Sequence, residues 1–197
     1  MLVIGITGGS GTGKSTLGAL FSEAGAMFID ADAVYHRLLK ECEPMKAGIG
    51  ARFGGDILKV GAIDREKLGR IVFSDPAALS DLNTLTHKYV TQEIDGILKR
   101  CALPAAVIDA IGLFQSGADK LCDVTIGVIA PSEARVSRIT ERDGISPERA
   151  LLRIKAQESD GFYRARCGYI IENSGSKAEF IKKARALRDK IMNGEAG

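Results

Sequence analysis

The chain has little that would tie it to a membrane, a metal cluster or a charged polymer. No stretch approaches the run of about 18 apolar residues that a transmembrane helix requires. The first apolar run, Leu2 to Ile6, is too short for a signal peptide, lacks a basic flank and leads straight into glycine-rich sequence. No leader is therefore expected, and the cytoplasm is the expected location. The four cysteines, Cys42, Cys101, Cys122 and Cys167, form no Cys-x-x-Cys pair and have no pair of histidines beside them, which argues against zinc and against a disulfide framework. Charge is nearly balanced, 27 Lys and Arg against 25 Asp and Glu for a net +2, so there is no electrostatic case for nucleic acid or a membrane surface. Nothing repeats, no segment is of low complexity, and no feature fixes the oligomeric state. A length of 197 residues suits one domain with an insertion or one large domain, and 45% hydrophobic content is ordinary for a soluble globular protein.

What is present starts at the N-terminus. Leu2 to Ile6 reads as a buried strand, and Leu17, Leu20, Phe21 and Ala24 recur at helical spacing. Between them lies Gly8-x-x-x-x-Gly13-Lys14-Ser15, a full phosphate-binding-loop pattern in the strand–loop–helix context that its physics requires. Gly8, Gly9, Gly11 and Gly13 let the backbone curl with N–H groups facing a polyphosphate, assisted by the positive end of the following helix. Lys14 can reach β and γ phosphates, the Ser15 hydroxyl is placed for Mg²⁺, and Thr16 can add a contact on the α side.

Gly25 is expected to stop the first helix. Ala26 to Ile29 reads as a second strand, followed by Asp30-Ala-Asp32 and a helix over 33–40 with Val34 and Leu38 on one face. Ligands of open α/β sheets bind outside the carboxyl ends of strands. Asp30 is expected to cap the helix, and Asp32 to take a proton from an attacking hydroxyl or help hold the metal. Residues 41–104 show no strand pattern. Helical stretches at 44–53, 64–73 and 76–99, broken at Gly54-Gly55 and Gly61, predict an all-helical insertion that supplies a second substrate's site. Within it Arg65 can pair with an acceptor phosphate or form a surface ion pair, and His87 can be structural or functional.

Ala105 to Asp109 reads as the third strand, ending in an acidic residue suited to holding Mg²⁺. Val124 to Ile129 is the fourth, with Ser132 expected to cap the helix that follows. Arg135, Arg138 and Arg142 fall on one face of that helix. Three guanidinium groups so placed repel unless an anion lies between them, which points to a clamp on a γ-phosphate. Ser146-Pro147-Glu148 opens another helix that carries Arg153 and Gln157. The two helices form an arginine-rich hairpin, a mobile lid. Tyr169 to Ile171 is the fifth strand, and Ser176-x-x-Glu179 a capping box for a last helix with the stripe Phe180, Ala184, Leu187 and Ile191.

With these residues in place, the chain resembles the dephospho-coenzyme A kinase family over nearly its whole length. The resemblance rests on Thr7-Gly-Gly-Ser-Gly-Thr-Gly-Lys-Ser15, Asp30-Ala-Asp32, Gly61-x-Ile63-Asp-Arg65-x-x-Leu68 with Val72-Phe73, Leu82-Asn83 with His87, Arg138-x-x-x-Arg142-Asp143, Arg153-x-x-x-Gln157 and Ile171-x-Asn173. It implies a P-loop NTPase three-layer α/β fold: a five-stranded parallel sheet, a helical substrate-binding insertion and a helical lid. It also implies a division into a nucleotide-binding core (1–30, 105–131 and 167–197), a CoA domain (31–104) and a lid (132–166). The implied activity is ATP-dependent phosphorylation of the ribose 3′-hydroxyl of dephospho-CoA, with ATP and dephospho-CoA as small-molecule partners and Mg²⁺ as cofactor. Catalysis would fall to Asp32 as base, Lys14 and Arg142. ATP binding would fall to Gly9, Gly11, Thr12, Gly13, Lys14, Ser15, Thr16, Arg138, Arg142 and Asn173; acceptor binding to Asp32, Arg65 and His87; and metal binding to Ser15 and Asp109. The chain departs from the family pattern at Gln115, Lys88, Tyr163 and Cys167-Gly168, where glutamate, proline, lysine and Ala-Asp are usual. The competing readings are a nucleoside or nucleotide kinase, a GTP-dependent switch and a catalytically silent binding module. Asp109-Ala-Ile-Gly112 fits the Asp-x-x-Gly of switch proteins, but no Asn-Lys-x-Asp guanine-reading motif occurs.

Overall fold

The structure, a computed structural model, describes residues 1–59 and 62–194. Its first half runs β1 (Leu2–Thr7), α1 (Lys14–Glu23), β2 (Met27–Asp30), α2 (Ala31–Glu41), α3 (Glu43–Phe53), β3 (Leu58–Lys59), β4 (Ala62–Ile63), α4 (Arg65–Ser74) and α5 (Pro76–Arg100). Its second half runs β5 (Ala105–Asp109), β6 (Val124–Ile129), α6 (Ser132–Asp143), α7 (Pro147–Lys155), α8 (Asp160–Arg166), β7 (Tyr169–Glu172) and α9 (Lys177–Met192).

The chain divides into two compact units. The first comprises Met1–Ile29, Ala102–Leu113 and Asp119 onward; the second comprises Asp30–Cys101 and Phe114–Ala118. The first is organised by a five-stranded parallel sheet in the order β2-β5-β1-β6-β7. β1 pairs in parallel with β5, Leu2 opposite Ala105 through Ile6 opposite Asp109, and with β6, Ile4 opposite Val124 through Thr7 opposite Gly127. The chain winds to one side of β1 through β2 and β5, then crosses it to β6 and β7. The carboxyl end of β1 thus lies where the winding reverses, the usual place for a ligand in such sheets.

The sheet is buried because its strands are nearly continuous apolar runs, as parallel strands must be when covered on both faces. Ile4, Ile6, Val107, Ile126 and Val128 join Leu17, Leu20 and Phe21 of α1 and Phe180, Ala184 and Ile191 of α9 in one core cluster. Each large aliphatic or aromatic side chain in that core contributes roughly 1.5–3 kcal/mol over its exposed state. The apolar stripe expected on α1 is one residue too long. Ala24 is exposed because the helix has already stopped. Gly25 takes φ +89°, its N–H bonds the Ser22 carbonyl at 3.0 Å, and the Ala26 N–H bonds the Phe21 carbonyl at 3.1 Å. This Schellman pair satisfies two carbonyls of the last turn and returns Ala26 to the core beside Phe21.

The second unit differs from the expected all-helical insertion. β3 and β4 form a two-stranded antiparallel hairpin, Leu58 opposite Ile63 and Lys59 opposite Ala62. Strands of two residues are too short to display an alternating pattern, so propensity reads through them. The predicted break at Gly61 lies outside the described residues. The helices of this unit otherwise follow their caps: the Asp64 side chain accepts from the Lys67 N–H and the Asp75 side chain from the Ala77 N–H, with Pro76 at the first position of α5. Among the described residues no helix is long and apolar enough to cross a membrane.

Two further expectations need correction. Ser132 does not cap α6; Pro131 holds the N-cap position and Ser132 is the first helical residue. Gln157 does not lie on α7, which ends at Lys155 with Ala156 as its C-cap. The segment after it carries a helix that the sequence reading does not mark, α8, which starts where Ser159 accepts from the Phe162 N–H. The caps Ser146 and Ser176 stand where expected, the second in a full capping box with Glu179.

Candidate active site

The loop between β1 and α1 is shaped by what holds its carbonyl oxygens. Gly9 O accepts from Thr12 Oγ1 at 2.9 Å and from Lys14 Nζ at 3.4 Å. Ser10 O accepts from Arg135 Nε at 2.9 Å, Gly11 O from Arg138 Nη1 at 3.1 Å, and Thr12 O from Asn173 Nδ2 at 2.8 Å. The carbonyls of Ser10, Gly11 and Thr12 are thus held by side chains from outside the loop, whereas that of Gly9 is bonded within it. In a trans peptide the N–H opposes the C=O, so the N–H groups of Gly11 and Gly13 face the other way, into the concavity. The first N–H groups of α1 at Lys14, Ser15 and Thr16 add donors that have no carbonyl one turn behind them. The result is a cluster of N–H groups, a lysine and a helix N-terminus, which is chemistry for a polyphosphate.

Glycine is required here for space. Gly8 has φ +139°, and a Cβ there would stand 2.2 Å from the Val128 carbonyl oxygen. A Cβ on Gly11 would stand 2.9 Å from the Arg135 carbonyl oxygen. The loop therefore packs against β6 and α6 at backbone distance.

The three arginines on one face of α6 do seek acceptors, as their mutual repulsion demands, but the acceptors differ. Arg135 is 5% exposed and is engaged by Ser10 O and by Gln157 Oε1 at 2.8 Å. Burial lowers its pKa, while Asp160 and Tyr163 nearby raise it. Arg138 bonds Gly11 O and, through Nη2, Asn173 O at 3.3 Å and Asn173 Oδ1 at 3.1 Å. Arg135 and Arg138 thus brace the loop from behind. Arg142 is exposed and bidentate to Asp143, Nε to Oδ1 at 2.6 Å and Nη2 to Oδ2 at 3.0 Å. Hydrogen bonds from Arg142, and then from Arg153, hold the Asp143 carboxyl down at a pKa of about 2.

Asp109 ends β5 directly beside Ile6 of β1, so its carboxylate stands at the carboxyl edge of the sheet. Ser15 is exposed on the first turn of α1. These two oxygen donors suit Mg²⁺, which takes one or two protein ligands and completes its shell with phosphate and water. Among the described residues no group of three or more His, Cys, Asp or Glu forms an all-protein metal cage.

In the second unit, Asp30 caps α2 by accepting from the N–H groups of Asp32 at 2.9 Å and Ala33 at 3.1 Å. Its carboxylate is thereby occupied, and Asp32, on the first turn, is left exposed. Tyr35 lies one turn along from Asp32; burial raises its phenol pKa, and the charge of Arg65 opposes this in part. His87 sits in α5, half-buried; burial lowers its pKa and a hydrogen bond to the Gln115 backbone partly offsets this. It lines a cleft of about 610 Å³ with Asn83, Lys88, Gln115 and Ser116.

The loop residues, Arg138 and Asn173 are thus brought together in the first unit. The contact of Gln157 with the loop, the pairing of Arg142 with Asp143 and the place of Tyr35 beside Arg65 were not foreseen. Only Gln157 had a signal, its spacing from Arg153. Tyr163, in place of the usual lysine, is 1% exposed, and its hydroxyl has no hydrogen-bond partner among the described residues. Gly168 donates its N–H to Thr125 Oγ1 at 3.0 Å.

Comparison with known proteins points one way. A model of the dephospho-CoA kinase family matches residues 2–179. A dephospho-CoA kinase of Symbiobacterium thermophilum is 37% identical over 201 aligned residues, covering 100% of this chain and 84% of the relative. Among solved structures, TT1252 from Thermus thermophilus superposes with a TM-score of 0.80 at 33% identity, covering 98% of this chain and 97% of the other. The dephospho-CoA kinase from Campylobacter jejuni does so with a TM-score of 0.71 at 29% identity, covering 98% of each chain.

Proposed function

The chain belongs to the dephospho-CoA kinase family, and from that membership we propose that it transfers the γ-phosphoryl group of ATP to the ribose 3′-hydroxyl of dephospho-CoA. This is the last step of coenzyme A synthesis. The observation that carries the reading to this chain's own residues is the loop at 8–16, whose Ser10, Gly11 and Thr12 carbonyls are held from outside so that the Gly11 and Gly13 N–H groups face the concavity.

The nucleotide is bound by Gly9, Gly11, Thr12, Gly13, Lys14, Ser15 and Thr16. Gly11 and Gly13 offer N–H groups, Lys14 meets the β and γ phosphates, and Arg138 and Asn173 keep the loop in shape. Ser15 and Asp109 would hold Mg²⁺, which when bound neutralises phosphate charge and orients the β and γ oxygens. Asp32 accepts the proton of the 3′-hydroxyl as its oxygen bonds to the γ phosphorus and the bond to the bridging β–γ oxygen breaks, releasing ADP. Its exposure and its freedom from the capping duty that Asp30 performs support this role. Arg142 leaves Asp143 for the developing phosphoryl charge, one charge-assisted pair replacing another.

We assign acceptor binding to residues 31–104, with Arg65 and His87 as contacts. Arg65 supplies positive charge for an acceptor phosphate, and the cleft beside His87 has room for part of a bulky ligand. Residues 132–166 act as a lid that excludes water during transfer. The substrates are small molecules, and the cytoplasm is the assigned location.

An ADP-release assay with dephospho-CoA, adenosine, uridine and shikimate tests the reading. ADP release that depends on dephospho-CoA is expected. Release driven by another acceptor and not by dephospho-CoA would replace the assigned substrate, and no acceptor-dependent release would remove the kinase reading.

A further inference from the structure

Ser10, at the tip of the loop, has every polar atom of its backbone and side chain engaged by two residues from elsewhere in the chain. Its N–H donates to Gln157 Oε1 at 2.8 Å, its hydroxyl accepts from Gln157 Nε2 at 2.8 Å, and its carbonyl accepts from Arg135 Nε at 2.9 Å. The ring closes through Arg135 Nη2, which donates to Gln157 Oε1 at 2.8 Å. A backbone N–H can only donate, so the Gln157 amide has one workable orientation and uses both ends in it. Ser10 and Arg135 are 8% and 5% exposed, so these bonds form largely out of water.

Two successive peptide planes are fixed by this ring. Gln157 and Thr12 hold the Gly9–Ser10 plane from its two sides, through the Ser10 N–H and the Gly9 carbonyl. Arg135 holds the Ser10–Gly11 plane through the Ser10 carbonyl, which sets the direction of the Gly11 N–H. A Cβ on Gly9 would also stand 2.8 Å from Gln157 Oε1, so the amide is seated hard against the loop. Gln157 lies just beyond the C-cap of α7 and comes from a segment otherwise remote from β1.

We propose that Gln157, braced by Arg135, is a positioning residue for phosphoryl transfer: it locks Ser10 so that the loop presents the Gly11 N–H to the nucleotide before the nucleotide arrives. The proposal rests on the loop being the nucleotide site. Its role is distinct from packing, because the group that it acts on is a loop N–H and not the core.

Gln157→Leu keeps the volume and removes all three hydrogen bonds. In calorimetric titration with ADP and Mg²⁺, the dissociation constant is expected to rise at least fivefold, and the KM for ATP with it. The KM for dephospho-CoA is expected to stay within twofold. Gln157→Glu keeps an acceptor for the Ser10 N–H and for Arg135 and is expected to recover most of the ADP affinity. Gln157→Asn, which keeps a polar amide in place of the leucine but falls short of Ser10, is expected to weaken ADP as the leucine does. ADP affinity within twofold of the parent in the leucine or asparagine variant, with only the melting temperature lowered, overturns the proposal and leaves the kinase reading standing. Absence of ADP binding by the parent overturns both.

Discussion

Removing one oxygen from Tyr163 is expected to stabilise the protein. The ring is buried among α8 and β6, edge-on to Phe162 with centroids 5.5 Å apart, and the hydroxyl has no hydrogen-bond partner among the described residues. A phenol that forgoes its bonds to water without replacement costs roughly 1–3 kcal/mol. Tyr163→Phe keeps the ring and leaves a gap of one oxygen, so a net gain of about 1 kcal/mol is expected near neutral pH. For a chain of this size that is a rise of roughly 2–4 °C in melting temperature. The pH dependence supplies a second and independent sign. Burial pushes the phenol up to about 12 from an ordinary value near 10, with Arg135 opposing. Between those two values the unfolded chain gives up its proton while the folded chain keeps it. The unfolded state then binds fewer protons, and stability falls as pH rises, by about 1.4 kcal/mol per unit from this group. The phenylalanine variant lacks that loss. Its advantage is therefore expected to grow from about 1 kcal/mol at pH 7 to about 2 kcal/mol at pH 11. Cys122 and Cys167, raised by burial to about 12 and about 11, contribute an alkaline loss common to both proteins. Urea unfolding of the pair at the two pH values measures the difference directly. A variant that is less stable by 1 kcal/mol at pH 7, or whose advantage does not widen in alkali, would show that the hydroxyl is satisfied and would refute the reasoning.

Other outcomes follow from the same geometry. Asp32→Asn is expected to lower kcat about 100-fold or more with the KM for ATP within twofold, since general-base help is worth roughly 10²–10⁴; near-normal turnover would take the base role from Asp32. Lys14→Ala is expected to raise the KM for ATP and lower kcat together, and unchanged steady-state constants would contradict the donor site. Gly8→Ala combines a disfavoured φ of +139° with a Cβ 2.2 Å from the Val128 carbonyl; a stability loss of about 3 kcal/mol is expected from strain and overpacking, read as the shift of a denaturation midpoint.

The parts of the fold that could be read in advance were those whose causes are local. β5 and β6 run from Ala105 to Asp109 and from Val124 to Ile129, as their apolar runs predict, because a strand covered on both faces needs no partner information to declare itself. Asp30, Ser146 and Ser176 cap helices because a short polar side chain satisfies N–H groups two or three residues away. β3 and β4 were not readable, since two residues carry no period. Arg135 shows the limit most plainly. Helical spacing put it on a face with Arg138 and Arg142, and electrostatics required an acceptor. That acceptor is a carbonyl 125 positions away, and no local rule identifies it. The loop motif announced phosphate chemistry, but the side chains that shape it had to be found in space.

The bond from Asn173 Nδ2 to the Thr12 carbonyl spans 161 positions. Its consequence concerns the order in which the protein is made. Synthesis proceeds from the N-terminus at about 5–20 residues per second, so the loop is complete almost at once, yet the side chains that hold Ser10, Gly11 and Thr12 emerge only with residues 135, 138, 157 and 173. A nascent chain halted before β7 carries the whole glycine-rich motif and lacks the support on one of its four carbonyls. Nucleotide competence is thus a late acquisition of the growing polypeptide, and a peptide of the first two dozen residues is not a portable phosphate-binding module.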